Sequence, residues 1–123
     1  MIDHISIPVR DLAAAARFYE AVLATLGLSK LESRPATVGF GKSYPEFWIN
    51  LRGGMARASS DGAHVCFRAR TQAMVDAFHA AALAAGGADD GAPGFRPQHG
   101  EGYYAALIRD ADGNRIEAVT FVK

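Results

Sequence analysis

The chain has 123 residues, half of them hydrophobic, and thirteen basic side chains balance thirteen acidic ones. That length and apolar content suit one compact domain whose core needs no metal or disulfide staple. Balanced charge without like-charge blocks argues against nucleic acid or an anionic membrane surface as partner. The apolar tracts are alanine-rich, interrupted and too short to span a bilayer, and no signal-like segment is apparent. With a lone Cys66 that can form no internal disulfide, a soluble, cytoplasmic protein in a reducing compartment is expected.

Residues 2–9 alternate in character: Ile5, Ile7 and Val9 share one strand face, and His4, Ser6 and Pro8 share the other. Asp11 offers a helix N-cap. From Leu12 to Leu26 apolar residues recur at helical spacing, and Gly27 is a plausible stop. Strand-like pieces follow at 36–41 and 46–51, and 52–62 reads as a link. The same order then returns. Residues 63–69 set Val65, Phe67 and Ala69 against His64, Cys66 and Arg68; Thr71 caps a second helix; Gly86 and Gly87 stop it. Residues 89–102, with four glycines and two prolines, read as a long ordered loop. Two strands, about 103–109 and 114–122, close the chain around the turn signal Asp112-Gly113.

The chain therefore reads as two copies of one unit, about 1–52 and 62–123, within a single α+β domain. Each copy has a strand, a helix and two or three further strands. His4 and His64 are equivalent: each opens an apolar run and each precedes its capping residue, Asp11 or Thr71, by seven positions. The apolar face of each first strand should pack on its helix, which leaves the histidine face to line something wet or metallated. Glu117 stands inside an apolar strand, where a buried carboxylate needs a cation, a donor or water. Two imidazoles and this carboxylate make a triad suited to Fe, Mn, Ni, Co or Zn as the divalent ion. Superimposing Ile49 on Ile116 places Asn50 opposite Glu117.

The segment His4-Ile5-Ser6-Ile7-Pro8-Val9-Arg10-Asp11-Leu12, with Arg17-Phe18-Tyr19 and Val22-Leu23, resembles the opening of the vicinal oxygen chelate superfamily. The closing run from Arg109 through Asp110, Asp112, Gly113 and Asn114 to Glu117 resembles its end. That superfamily holds glyoxalase I, fosfomycin-resistance enzymes, extradiol dioxygenases and bleomycin-binding proteins. The resemblance implies paired βαβββ modules curled into a half-open barrel, and homodimers or fused double copies. It also implies that His4, His64 and Glu117 are metal ligands. Asn50 occupies the fourth position, where glyoxalase I has a carboxylate; an amide cannot act as a base and ligates weakly. A vacated fourth position resembles the fosfomycin-resistance and extradiol-dioxygenase pattern, and Trp48, two residues before Asn50, is similar to the former group.

The implied chemistry is chelation of a small oxygenated substrate through adjacent oxygens, in a lyase, isomerase or dioxygenase. Trp48, Asn50, Arg68, Tyr103, Tyr104 and Arg115 are the candidate substrate-binding residues. Arg68 or Arg115 could pair with a carboxylate or phosphate on the substrate. One of Tyr103 and Tyr104 must face inward. His99 could supply a proton from a lid-like loop. Cys66 is expected as a small buried filler, and His79 as a surface residue. The alternatives are a metal-free protein that binds a small molecule or antibiotic, and a scaffold with a vestigial site.

Overall fold

The structure is a computed structural model that describes residues 1–54 and 62–123. The link read at 52–62 therefore lies mostly outside the described residues. The elements run β1 (Ile5–Val9), α1 (Leu12–Ala24), β2 (Ser29–Arg34), β3 (Thr37–Gly41) and β4 (Pro45–Leu51), then β5 (Val65–Arg68), α2 (Gln72–Ala84), β6 (Ala88–Phe95), β7 (Tyr103–Arg109) and β8 (Arg115–Phe121). Each half forms one four-stranded sheet, ordered β1-β4-β3-β2 and β5-β8-β7-β6. In each, the first strand runs parallel to the last and the other pairs are antiparallel. The fold is thus α+β, with two modules whose sheets are not closed into a barrel.

Local chemistry sets these elements as expected. Asp11 accepts a hydrogen bond from the Ala14 amide at 3.0 Å, and Thr71 accepts one from Met74 at 3.1 Å. Each bond satisfies an orphan donor at a helix start. Gly27 (φ +80) and Gly86 (φ +98) take the left-handed turn that ends each helix. The second helix therefore turns one residue sooner than the sixty-residue repeat implies. Gly87 serves packing instead: a Cβ there would meet the Ala82 carbonyl oxygen at 2.9 Å.

The two helices bury one stripe each against a shared core. Phe18, Tyr19, Val22 and Leu23 come from α1, and Val75, Phe78 and Ala82 from α2. Phe40, Phe47, Ile49, Ile108 and Ile116 meet them from the sheets. Each such aliphatic or aromatic side chain contributes about 1.5–3 kcal/mol by burial. The Phe47 and Phe67 rings, 5.2 Å apart, connect β4 to β5.

A polar clamp also joins the halves. Tyr19 Oη donates to Asp110 Oδ2 at 2.5 Å, and Arg10 Nε donates to Asp112 Oδ1 at 2.8 Å. The Asn114 side-chain amide donates to the Pro8 carbonyl at 3.0 Å and to Asp110 Oδ2 at 2.9 Å. Much of the closing sequence motif therefore serves to dock the β7–β8 hairpin onto the β1–α1 junction. Burial raises the Asp110 carboxyl above the ordinary carboxylate range, although hydrogen bonds from Tyr19 and Asn114 pull the other way.

Three expectations need correcting. Residues 29–34 form an edge strand that the largely exposed, polar sequence Ser-Lys-Leu-Glu-Ser-Arg did not signal. The stretch 89–102 is not simply a loop. It holds most of β6, whose glycines and proline fit a bulged edge strand, followed by a 3₁₀ turn at Pro97–His99. His79 is buried on α2, and its Nε2 lies 2.8 Å from Asp89 Oδ1. That carboxylate satisfies the ring and lets it join the apolar stripe.

Candidate active site

The concave face of the second sheet collects polar groups around Glu117. β8 lies between β5 and β7, in a register that pairs Glu117 with Cys66 on one side and Leu107 on the other. Glu117 is 5% exposed, so its charge must be met locally. Its Oε1 lies 3.0 Å from His64 Nε2, and its Oε2 accepts a 2.6 Å hydrogen bond from the Tyr103 hydroxyl. Desolvation, reinforced by that bond, pushes the Tyr103 phenol above its ordinary range. Cys66 is exposed rather than a buried filler. Desolvation at its sulfur, followed by the Glu117 charge, pushes the thiol up to about 12.

These groups open onto a cavity of about 310 Å³ lined by His64, Arg96, His99, Tyr103, Leu107, Arg115 and Glu117. The His99 ring stacks obliquely on Tyr103 at 5.3 Å. It stands on the 3₁₀ turn that follows β6 and borders the cavity.

The first sheet forms a second cup, of about 540 Å³, lined in part by His4, Ser6, Arg34, Thr37, Trp48 and Asn50. His4 is exposed, and its Nδ1 pairs with Asp3 at 2.7 Å. His4 and His64 do both border a groove between β1 and β5. The structure brings His64 and Glu117 together but does not bring His4 to them. Among the described residues, no three His, Cys, Asp or Glu side chains are arranged to hold a metal ion. The reason is topological: β1 and β5 belong to different sheets, so each cup receives its own histidine.

The register also corrects the alignment of the halves. Ser6 pairs with Trp48, whereas the equivalent Cys66 pairs with Glu117. Trp48, not Asn50, is therefore the counterpart of Glu117. The indole packs against Gly39, where a Cβ would sit 2.8 Å from the ring, and the Arg34 guanidinium lies over it at 5.2 Å. Asn50 faces Pro8 and accepts a 2.6 Å bond from Thr37 Oγ1.

The remaining candidates divide by strand face. Tyr103 enters the cavity. Tyr104 does not: it donates to Asp76 Oδ1 of α2 at 2.6 Å and packs on Phe95. The Arg68 guanidinium lies over the Phe121 ring at 4.5 Å. Arg115 borders the cavity but its Nε donates to Asp90 Oδ2 at 2.8 Å, and Arg109 approaches the same carboxylate at 3.3 Å. Sequence reasoning passed over Arg96, which no periodicity marks because it follows an irregular edge strand.

The chain matches the model of the Glyoxalase/Bleomycin resistance protein/Dioxygenase superfamily over residues 1–118, and it belongs to that family. It is similar to a glyoxalase/bleomycin resistance protein from Albidiferax ferrireducens at 33% identity and TM-score 0.85, covering 95% of this chain and 96% of that one. It shares its fold with a glyoxalase/bleomycin resistance protein/dioxygenase family enzyme from Burkholderia phytofirmans (21% identity, TM-score 0.77, 98% of each chain). It also shares it with the fosfomycin resistance protein FosX from Listeria monocytogenes (17% identity, TM-score 0.73, 97% of this chain and 91% of that one). No curated protein matches significantly. No helix among the described residues is long and apolar enough to cross a membrane.

Proposed function

We propose that this chain is a metal-dependent enzyme of the lyase, isomerase or dioxygenase type that acts on a small oxygenated substrate. The observation that carries this reading is Glu117. It is a carboxylate buried mid-strand, held between His64 and Tyr103, at the wall of an open cavity. His64 and Glu117 suit a divalent ion of the Fe, Mn, Ni, Co or Zn group as two of three ligands. In our reading the chain is a homodimer, and His4 of a second copy completes the triad.

A bound divalent ion would supply Lewis-acid stabilisation of charge on adjacent substrate oxygens. The chain's own groups do the rest. Tyr103 anchors Glu117 Oε2 and leaves Oε1 on the His64 side. His99 is placed to take or return a proton. The Cys66 thiol, pushed up to about 12, stays protonated near neutral pH and does not act as a nucleophile.

The reading is tested by mixing variants. His4→Ala and Glu117→Gln copies should each lose the metal when purified alone. After subunit exchange, one intact site per mixed dimer returns, or about a quarter of wild-type occupancy with random pairing. Metal retained by either variant alone refutes the ligand set. Loss without recovery refutes the shared site.

One observation favours a second reading, a metal-free small-molecule or antibiotic binder. In the first cup, Trp48 occupies the place of a ligand and presents an indole beneath Arg34. That surface suits a flat ring, and tight binding of a planar aromatic ligand by EDTA-treated protein would support this alternative.

A further inference from the structure

The charges around the second cup do not cancel evenly. Arg115 and Arg109 are both met by Asp90. Arg68 is on Phe121, and Glu117 is met by His64 and Tyr103. Arg96 also borders this cavity, yet among the described residues no carboxylate pairs with it. An arginine without a counter-ion is common on a surface. This one, however, is built into place. Its Nη2 donates to the Ala92 carbonyl at 2.8 Å. Its backbone N–H donates to the Tyr103 carbonyl at 2.8 Å. A Cβ on Gly91 would lie 3.2 Å from Nη2, and one on Gly94 would lie 3.4 Å from Nη1. The glycines of bulged β6 thus leave the space that the guanidinium fills.

We infer that Arg96 is a specificity-determining residue that binds an anionic group, a carboxylate or a phosphoryl group, on the substrate of this cavity. One Nη2 proton is committed to Ala92, which leaves the other guanidinium donors for oxygen atoms in the planar geometry that arginine offers and lysine does not. The anion would sit beside Tyr103 and His99, on the same wall as Glu117. The substrate class is then a small molecule that carries a fixed negative charge near its chelating oxygens. This assignment extends the proposed metal chemistry, but its test does not depend on metal.

Inorganic phosphate and acetate are titrated separately into the full chain after EDTA treatment, followed by ¹⁵N NMR of the arginine Nε–H groups and the backbone amides. At least one anion should bind saturably, with the largest shifts at Arg96, Tyr103 and His99. The one that saturates at lower concentration identifies carboxylate or phosphoryl recognition. Arg96→Gln should weaken that binding about tenfold or more, the loss expected for a charge-assisted pair. Arg96→Lys should recover part of the affinity and shows that a loss in Arg96→Gln is not misfolding. Equal affinity in Arg96→Gln, no saturable binding of either anion, or shifts centred on Arg68 would overturn the inference. Arg17→Gln, on the exposed surface of α1, should leave anion affinity within about twofold, because it lies outside this cavity. If wild type takes up no metal but Arg96-dependent anion binding persists, the proposed metal enzyme fails and this inference stands.

Discussion

Glu117→Gln separates the cost of building the site from its use. Glu117 is 5% exposed and has two polar partners, at 3.0 and 2.6 Å. Glutamine keeps the shape and an acceptor for Tyr103, and its amide can donate to a neutral His64. It also removes a charge whose desolvation is costly. The metal-free variant should therefore unfold within about 1 kcal/mol of the metal-free wild type, or later. Metal reverses the order. At a free concentration 100 times Kd, a ligand that binds only the folded state stabilises it by about 2.7 kcal/mol. For a domain of this size that raises Tm by about 10 °C. Losing the only charged ligand should weaken binding about 100-fold, so the same metal concentration gives the variant about 0.4 kcal/mol, or some 2 °C. The assay is thermal unfolding of both proteins with EDTA and with excess Mn(II) or Zn(II). A variant that keeps the full metal-induced shift would refute the assignment of Glu117 as a ligand. A variant much less stable than wild type in EDTA would mean that the His64–Glu117–Tyr103 cluster is structural.

Tyr19→Phe removes one of the four hydrogen bonds to Asp110, a loss of about 1.5–3 kcal/mol for a bond to a buried charge. Tm should fall by about 6–12 °C with metal affinity intact; a change under 0.5 kcal/mol in chemical denaturation would show that the clamp does not hold the halves. Because burial raises the Asp110 pKa, the folded chain holds that proton more tightly than the unfolded one. Its contribution to stability is thus largest below the ordinary carboxylate pKa and declines as pH rises through the raised folded value. The stability lost in Asp110→Asn, relative to wild type, should accordingly be greater at pH 3.5 than at pH 7, and the reverse ordering in urea melts would contradict the burial argument. Gly39→Ala places a Cβ 2.8 Å from the Trp48 ring and must displace it. The fluorescence of the chain's only tryptophan should shift while Mn(II) or Zn(II) binding stays within about twofold; an unshifted spectrum would mean that the indole does not lie on Gly39.

Much of the scaffold was legible because it is local. Period-2 alternation marked β1 and β5, and the Asp112-Gly113 turn marked the β7–β8 hairpin. Capping residues marked the starts of α1 and α2, and the sixty-residue offset between Asp11 and Thr71 exposed the repeat. Edge strands were not legible. β2 is mostly exposed and β6 is interrupted by glycine and proline, so neither carries the apolar pattern that signals a strand. His79 looked like a surface residue because its partner, Asp89, lies on another element.

For the site, the sequence by itself determined which side chains share a strand face, because successive residues of a strand point to opposite sides. That was enough to place His64 on the face away from the core and to mark Glu117 as out of place in an apolar strand, while Tyr103 and Tyr104 stayed alternatives. Only the tertiary structure decided which of them meet. Strand register replaced Asn50 by Trp48 as the partner position of Glu117, and sheet membership put His4 and His64 in separate cups. Pairing with Asp90 engaged Arg115, while the bulges of β6 carried Arg96 into the cavity. Register, pairing and bulges depend on contacts between residues far apart in the chain, and no local pattern encodes them.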